Sequence, residues 1–275
     1  MTAAAPPPYL VDAFVTDDGG GNRAAVVLID ESRPDEWLQS VAADLGAPAT
    51  TFVRRRDDGS WALRWFSPFT ELRSCGHGTL AAAQVLSQEF RVPAPLHFAT
   101  ALGPVSADRA ADGFRFNFPA QTTEPWSLPA WAWDALGLRP VEVRRSGRHC
   151  LVRVAEVADV LGVRPDLAAL RRLPTIGLAV TTQGSGRFDI VTRWFVAREG
   201  VEDQATGTAH TLVGPFWAER LARPDLTAWQ ASERGGHLTV TVAGDQVLLG
   251  GRAVTIVRGE PVDPWNSGTV RGVQD

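Results

Sequence analysis

Short runs of alternating apolar and polar positions recur along the whole chain, and this period of two predicts β-strands. Gly, Asp, Asn and Pro residues separate the runs, as in the hairpin turn expected at Asp57-Asp58-Gly59. The predicted strands span residues 9–15, 24–29, 50–55, 61–66, 96–100, 114–118, 150–154, 175–181, 189–195, 238–242, 246–249 and 253–257.

Three segments have helical spacing instead. Residues 34–45 are predicted to form a helix, with Ser32 as the candidate cap and Gly46 as the stop. Residues 76–88 are apolar on nearly every side, so this helix is expected to be buried inside a sheet. Residues 208–221 form the third helix. One dominant helix among many strands in each half predicts an α+β fold of two sheets, each wrapped around its own helix.

The two long helices are preceded by the same pattern, an aromatic strand end followed by a short loop and a helix start of small residues. A repeat spaced by nearly half of the chain predicts two related halves. We place these halves at residues 1–118 and 119–275, joined by the Pro- and Trp-rich stretch 119–133, with the last strand or tail as a candidate to return to the first half. The two copies read Arg64-Trp65-Phe66 before Cys75-Gly76-His77-Gly78-Thr79, and Arg193-Trp194-Phe195 before Thr206-Gly207-Thr208-Ala209-His210.

A helix start rich in Gly and Thr suits the binding of an anion. Its backbone N–H groups have no partner within the helix, and the helix dipole places positive charge there. Two such starts facing each other would form a carboxylate-binding cleft between the domains.

Composition excludes several classes of function. The chain contains no lysine, which rules out Schiff-base enzymes and the phosphate-binding loop of nucleotide hydrolases. The net charge of −4 gives no basic surface for nucleic acid. No apolar run reaches membrane-spanning length, and the N-terminal segment lacks the features of a secretion signal. We therefore expect a cytoplasmic protein without a membrane or nucleic-acid partner.

The candidate catalytic residues each have a functional and a structural interpretation. Cys75 and His77 lie at the first helix start, where the thiolate form is favoured, but a buried thiol beside a capping histidine is the alternative. Asp203 lies in the loop before the second helix, as a cap or as a functional carboxylate. His210 is expected to be a packed histidine. The remaining histidines show no metal-ligand spacing, so no metal site is predicted.

Taken together, these motifs resemble the PhzF-like family, named for phenazine biosynthesis, within the diaminopimelate-epimerase superfamily. The resemblance extends over most of the chain. The segments that carry it are Val11-Asp12-Ala13-Phe14, Gly21-Asn22, Leu63-Arg64-Trp65-Phe66-Ser67-Pro68, Cys75-Gly76-His77-Gly78-Thr79, Asp203, Thr206-Gly207-Thr208-Ala209-His210 and Arg234-Gly235-Gly236.

The resemblance implies two similar domains, each a mixed, strongly curled sheet around a central helix, with the active site in the cleft between them. It also implies a homodimer and cofactor-free proton transfer at carbon. Carried over by position, the helix-start residues would bind or orient a substrate carboxylate, and Asp203 would bind an amine or move a proton. The implied binding residues are Gly76, His77, Gly207, Thr208 and Asn22.

The chain departs from the family at the acid/base position. The family has a Glu in a Ser-Glu-Thr-Ala-Phe-Val type strand, and this chain has Ala49 there. The epimerase branch has a cysteine at each helix start, whereas here Cys75 is matched by Thr206, so a two-thiol epimerase is not expected. Loss of a proton-transfer group costs on the order of 100- to 10,000-fold in rate unless another group replaces it. Asp203, His77 and Cys75 are the candidates for that replacement.

The resulting hypothesis is an isomerase that shifts a proton and a double bond in a small unsaturated amino acid or cyclic carboxylic acid of a specialised, antibiotic-type pathway. By resemblance, the substrate would be of the dihydropyrrole or alkylproline type, or of the dihydroanthranilate type. Two alternatives stay open because of Ala49: a non-catalytic protein that binds small carboxylates, and a cyclase that uses the same cleft.

Overall fold

A computed structural model describes residues 8–259, so the N-terminal segment 1–7 and the C-terminal segment 260–275 lie outside the described residues. Among the described helices, none combines the length and apolar character needed to cross a membrane. The first elements are β1 (Tyr9–Ala13), β2 (Asn22–Leu28), α1 (Asp35–Leu45), β3 (Ala49–Arg55), β4 (Trp61–Phe66), β5 (Glu71–Leu72), α2 (Gly76–Gln88), β6 (Leu96–Thr100) and β7 (Gly103–Ala110).

The remaining elements complete the chain in the same strand-rich manner. They are β8 (Gly113–Pro119), β9 (Glu124–Pro125), α3 (Ala130–Leu136), β10 (Glu142–Ser146), β11 (His149–Arg153), α4 (Val157–Gly162), α5 (Leu167–Leu170), β12 (Gly177–Gln183), β13 (Ile190–Val196), β14 (Val201–Asp203), α6 (Gly207–Leu221), β15 (Asp225–Gln230), β16 (Gly236–Ala243), β17 (Gln246–Gly251) and β18 (Ala253–Arg258).

The described chain divides into two compact units. The first contains residues 8–13, 23–108 and 253–259, and the second contains residues 14–22 and 109–252. This division differs from the expected boundary at residue 118. Because β8 pairs with β17, the segment from residue 109 joins the second sheet, and stretch 119–133 lies inside the second unit. The last described strand pairs with β1 in the first unit.

The first unit is a mixed sheet around α2. β18 pairs with β1, and β1 with β2. β2 and β3 are parallel, β3 and β4 antiparallel, β4 and β6 parallel, and β6 and β7 antiparallel. Strands β18, β1 and β3 all contact α2, whose residues 76–86 are all buried. On the other face, α1 packs against β3 and β4. The expected burial of α2 is therefore confirmed.

The second unit repeats this arrangement. β10 and β11 are antiparallel, β11 and β12 parallel, β12 and β13 antiparallel, β13 and β15 parallel, and β15 and β16 antiparallel. α6 lies against β11, β12, β15, β16 and β17. An apolar layer under α3, α4 and α5 covers the opposite face. The order of parallel and antiparallel pairs from β11 to β16 is the order from β2 to β7, as the sequence repeat predicts.

Some elements differ from their prediction. The N-cap of α1 is Pro34, so the assignment of Ser32 as the cap was wrong, whereas Gly46 ends the helix in the left-handed conformation as expected. Pro suits this place because its fixed φ favours a helix start. Strands β5, β7, β9, β10, β14 and β15 and helices α3–α5 were not predicted, because most of these segments are short and lack a clear period.

The start of α2 packs so closely on its sheet that residue 78 must be glycine. A Cβ at Gly78 would lie 2.6 Å from Oγ1 of Thr51, 2.8 Å from Cδ1 of Trp65 and 3.0 Å from Sγ of Cys75. We expect Gly78→Ala to lower the free energy of unfolding by about 1–3 kcal/mol through overpacking. Gly162→Ala is the matched control, because a Cβ there has open space. Urea denaturation measures both, and equal stability of the two variants would contradict this packing.

Burial of His210 predicts a loss of stability in acid. This side chain is fully buried in the first turn of α6, and burial lowers its pKa to about 4. In the unfolded chain, the histidine pKa is about 6.5, so between pH 6.5 and pH 4 His210 binds a proton in the unfolded state and not in the folded state. The free energy of unfolding therefore falls as the pH drops from 6.5 to 4. The free energy of unfolding should decrease by about 2 kcal/mol from this residue at pH 5.

Denaturation of the wild type, His210→Gln and His97→Gln between pH 7 and pH 4.5 tests this dependence. The His210→Gln variant should lose the histidine-linked part of the slope. His97 is exposed on β6, so its variant should keep the wild-type slope. A slope that survives in His210→Gln contradicts the assignment.

Candidate active site

The second unit presents a helix start whose first amides are not capped by a side chain. Thr206 is the N-cap of α6, but its hydroxyl makes no capping bond to the helix and instead donates to Oδ2 of Asp203 at 2.6 Å. The backbone N–H of Thr206 donates to Oε1 of Gln230 at 2.7 Å. The N–H groups of Gly207 and Thr208 have no partner within the helix, and the dipole adds positive charge there. This end of α6 therefore suits a carboxylate.

Asp203 lies beside this helix start in a fixed orientation. Its Oδ1 accepts hydrogen bonds from Nδ2 of Asn22 at 2.6 Å and from the backbone N–H of Gln204 at 3.1 Å. The second hydrogen of the Asn22 amide goes to the carbonyl of Ala205 at 2.9 Å, and Asn22 is fully buried. Three donors thus hold a half-buried carboxylate next to α6. The structure brings Asn22, Asp203, Gly207 and Thr208 together at the start of α6.

Gln230 supports this loop and was not found from the sequence. Besides accepting from the N–H of Thr206, it donates through Nε2 to the carbonyl of Asp203 at 2.6 Å and to Oγ1 of Thr206 at 3.1 Å. Its side chain is fully buried at the end of β15. A glutamine at a strand end gives no sequence signal, because the partners become neighbours only when β15 pairs with β13.

His210, in the first turn of α6, has a structural role. Nδ1 of His210 donates to the carbonyl of Thr206 at 2.8 Å, and burial keeps the ring neutral by lowering its pKa. The interpretation of His210 as a packed histidine is confirmed.

In the first unit, α2 begins with a thiol as its cap. Sγ of Cys75 accepts the backbone N–H of Gly78 at 3.3 Å. The same sulfur lies 3.6 Å from both ring nitrogens of His77, and both side chains are buried. Gly76 is buried between them. The structure therefore brings Cys75, Gly76 and His77 together at this helix start.

The position of the missing carboxylate is the first residue of β3. Ala49 is fully buried, and alternation along the strand places it on the same face as Thr51. Oγ1 of Thr51 and Nε1 of Trp65 are buried polar atoms without a hydrogen-bond partner in the described part of the chain. The methyl group of Ala49 cannot exchange a proton.

The same ion pair precedes both helices. Arg64 donates to Glu71 through Nε and Nη2 at 2.7 and 2.8 Å, and Arg193 donates to Glu202 in the same two-pronged way at 2.7 Å for each bond. Each pair joins the strand before the helix to the short strand that leads into it. Among residues 8–259, no group of three or more His, Cys, Asp or Glu side chains could hold a metal ion.

Comparison with known proteins agrees with this architecture. Residues 11–259 match the model of the PhzC-PhzF family, described as phenazine biosynthesis-like protein. A protein named uncharacterized isomerase from Pseudomonas aeruginosa is 41% identical over 253 residues, which cover 91% of this chain and 96% of that protein.

Two solved structures show the same fold. A PhzF-family phenazine biosynthesis protein from Enterococcus faecalis superposes with a TM-score of 0.88 at 33% identity, covering 94% of this chain and 99% of that one. A structure named predicted epimerase from Pseudomonas aeruginosa gives a TM-score of 0.72 at 25% identity, with 94% and 99% covered. With its repeated helix starts, its two similar units and these matches, the chain belongs to the phenazine biosynthesis-like (PhzF) family, with the epimerase-like fold.

Proposed function

We propose that this protein is an isomerase-type enzyme that moves a proton, and with it a double bond, in a small unsaturated carboxylic or amino acid. The proposal rests mainly on one observation, the uncapped start of α6 beside the fixed carboxylate of Asp203. Family relatives named isomerases support the same class of reaction.

The substrate carboxylate would accept hydrogen bonds from the amides of Gly207 and Thr208. The helix dipole favours this anion by about 0.3–1 kcal/mol at an exposed helix end and by more in a partly buried one. The start of α2 at Gly76 would contribute a second electropositive end. That the two starts face one cleft, and that the protein is a cytoplasmic homodimer, remain parts of the proposal.

Asp203 and His77 are the proposed polar pair, with Cys75 as the third candidate. Asp203 would bind a substrate amine or pass a proton, since its carboxylate is held in place by Asn22 and Thr206. His77 and Cys75 are in contact, so proton exchange between imidazole and thiol is short-ranged. Conjugation within the substrate would make the reacting C–H acidic, and no cofactor is required. An unsaturated acid of the dihydropyrrole type, on the way to an alkylproline, or one of the dihydroanthranilate type provides this conjugation.

A second candidate function is favoured by Ala49. A protein that kept the anion-binding helix starts but lost the proton-transfer group would bind small carboxylates without converting them. A cyclase that needs only a preorganised anion site is the remaining alternative.

Incubation with a panel of dienyl acids in deuterium oxide separates these functions. We expect the wild type to isomerise one class of acid and to incorporate deuterium at carbon, detected by NMR and mass spectrometry. Ala49→Glu is the companion variant, since it restores a carboxylate on the buried face of β3. Absence of both isomerisation and deuterium uptake across the panel would falsify the isomerase proposal. An inert wild type with an active Ala49→Glu variant would establish the binding protein, and ring-closed products would establish the cyclase.

Replacement of Asp203 should remove activity while leaving the protein folded. Asp203→Asn keeps the shape but replaces one acceptor oxygen by a donor that faces Asn22 or Thr206. We expect the rate of deuterium uptake to fall on the order of 100- to 10,000-fold. Asp225→Asn is the control, because Asp225 also accepts a side-chain hydrogen bond, from Thr241, but lies at the start of β15. Wild-type rates in Asp203→Asn would exclude the carboxylate from the reaction.

A further inference from the structure

A histidine outside the repeated motifs is linked through Gln121 to the first turn of α6. His149 is the first residue of β11, and its ring packs edge-on against Trp194, with ring centroids 5.5 Å apart. Nδ1 of His149 lies 2.8 Å from Oε1 of Gln121. Gln121 in turn contacts the first turn of α6, so a hydrogen-bonded chain connects the imidazole to the candidate substrate-binding position Thr208.

The hydrogen bonds of Gln121 determine which nitrogen of His149 carries the proton. Nε2 of Gln121 donates to the carbonyl of Thr208 at 3.3 Å and to Oγ1 of Thr211 at 2.8 Å. The Thr211 hydroxyl gives its own hydrogen to the carbonyl of Thr208 at 2.9 Å, so its oxygen is free to accept. These two bonds use both hydrogens of the glutamine amide.

The oxygen of the Gln121 amide must therefore face His149, and an amide oxygen only accepts. Nδ1 of His149 then carries the hydrogen, and the lone pair of the neutral ring lies on Nε2. Within the described residues, Nε2 makes no hydrogen bond. Burial, and to a lesser extent the charge of the neighbouring Arg148, lower the pKa of His149 and favour the neutral ring. Arg148 is the charged group that acts on this imidazole.

The internal repeat relates this imidazole to the position of the missing carboxylate. In the first unit, Thr51 lies two residues after Ala49 and is the cross-strand partner of Trp65. In the second unit, Ala179 lies two residues after Gly177 and is the cross-strand partner of Trp194. Gly177 is therefore the counterpart of Ala49.

Gly177 cannot carry a functional side chain, because a Cβ there would overlap the Trp194 indole. Its neighbour on the adjacent parallel strand is His149, whereas Ala49 has the methyl group of Ala24 in that place. The second unit thus has a neutral imidazole one strand away from the position that corresponds to Ala49.

Each of the other candidates is already engaged, and both ring nitrogens of His77 lie 3.6 Å from Sγ of Cys75. Asp203 already accepts three hydrogen bonds on its two oxygens, and Sγ of Cys75 serves as the cap of α2. Nε2 of His149 has a lone pair, a fixed tautomer and a rigid support.

We propose that His149 is the general base of this protein, replacing the carboxylate absent at Ala49; this rests on the proposed isomerase function. The lone pair of Nε2 takes the acidic proton of the bound acid, and the electrons of the broken C–H bond move into the conjugated system. The imidazolium then returns the proton to the far carbon of that system. The double bond has shifted, His149 is neutral again, and no oxidant or reductant is consumed.

Removal of the imidazole tests the proposal on the acid that the wild type converts. We expect His149→Gln and His149→Asn each to lose isomerisation and deuterium uptake by on the order of 100-fold or more. Two amide variants are used so that one poorly folded protein cannot decide the result, and thermal unfolding confirms that they are folded. His97→Gln, at an exposed position of β6, should keep the wild-type rate.

A change at Gln121 should shift the pH profile of kcat/KM, which would stay unchanged if His149 had only a structural role. Gln121→Glu places a carboxylate beside the Nδ1–H group, which raises the pKa of the imidazole. The acidic limb of the pH profile of kcat/KM should then shift to higher pH, because the base is protonated sooner. An unchanged profile overturns the proposal.

The tautomer is measurable without any substrate. Nitrogen-15 spectra of histidine side chains should show His149 as a neutral ring with hydrogen on Nδ1 at pH 7. Diethyl pyrocarbonate should acylate His149, located by mass spectrometry, and should spare the fully buried His210. A ring protonated at pH 7, or with hydrogen on Nε2, overturns the proposal.

The outcomes separate the two proposals. A wild type that converts an acid of the panel while both His149 variants retain its rate overturns only the role of His149. A wild type that is inert on the whole panel contradicts the isomerase function, and the base role falls with it.

Discussion

Burial of one long helix inside each sheet is the constraint on which the rest of this structure depends. The eleven residues 76–86 of α2 are all buried, so the helix can be stable only where strands cover it on several sides. Close packing at the helix start permits only small residues, as Gly78 against Thr51 and Trp65 shows. These small residues lie in the first turn, where backbone amides have no partner within the helix.

The two helix starts differ in how their unpaired backbone amides are capped. Cys75 caps α2 with its sulfur, whereas Thr206 turns its hydroxyl away from α6 and towards Asp203. Gln230 holds the Thr206 backbone in this arrangement from the neighbouring strand. An uncapped, rigidly supported helix end remains in the second unit. The two otherwise similar units therefore differ in that the start of α2 has a side-chain cap and the start of α6 has none.

In the proposed mechanism, the alanine at position 49 moves the base to the second unit. In the first unit, Cys75 and His77 are in contact at the start of α2, and Thr51 and Trp65 each have a buried polar atom without a partner among the described residues. In the second unit, Asp203 lies beside the start of α6, and His149 is linked to the first turn of α6 through Gln121. A family member that lost its carboxylate can therefore keep proton transfer without a new fold, provided that a nearby imidazole has its tautomer fixed by hydrogen bonds.

The sequence by itself determined the strands with clear alternation, the two buried helices and the repeat that relates Arg64-Trp65-Phe66 to Arg193-Trp194-Phe195. Local period and turn chemistry are enough for these, and the bounds of α2 agree with the structure residue for residue. Only the tertiary structure decided that residues from 109 join the second unit, that Gln230 supports Asp203, and that Gln121 orients His149. Each depends on strand pairing or contacts between residues distant in sequence, such as β8 with β17. Side chains so far apart leave no local pattern from which their hydrogen bonds could be predicted.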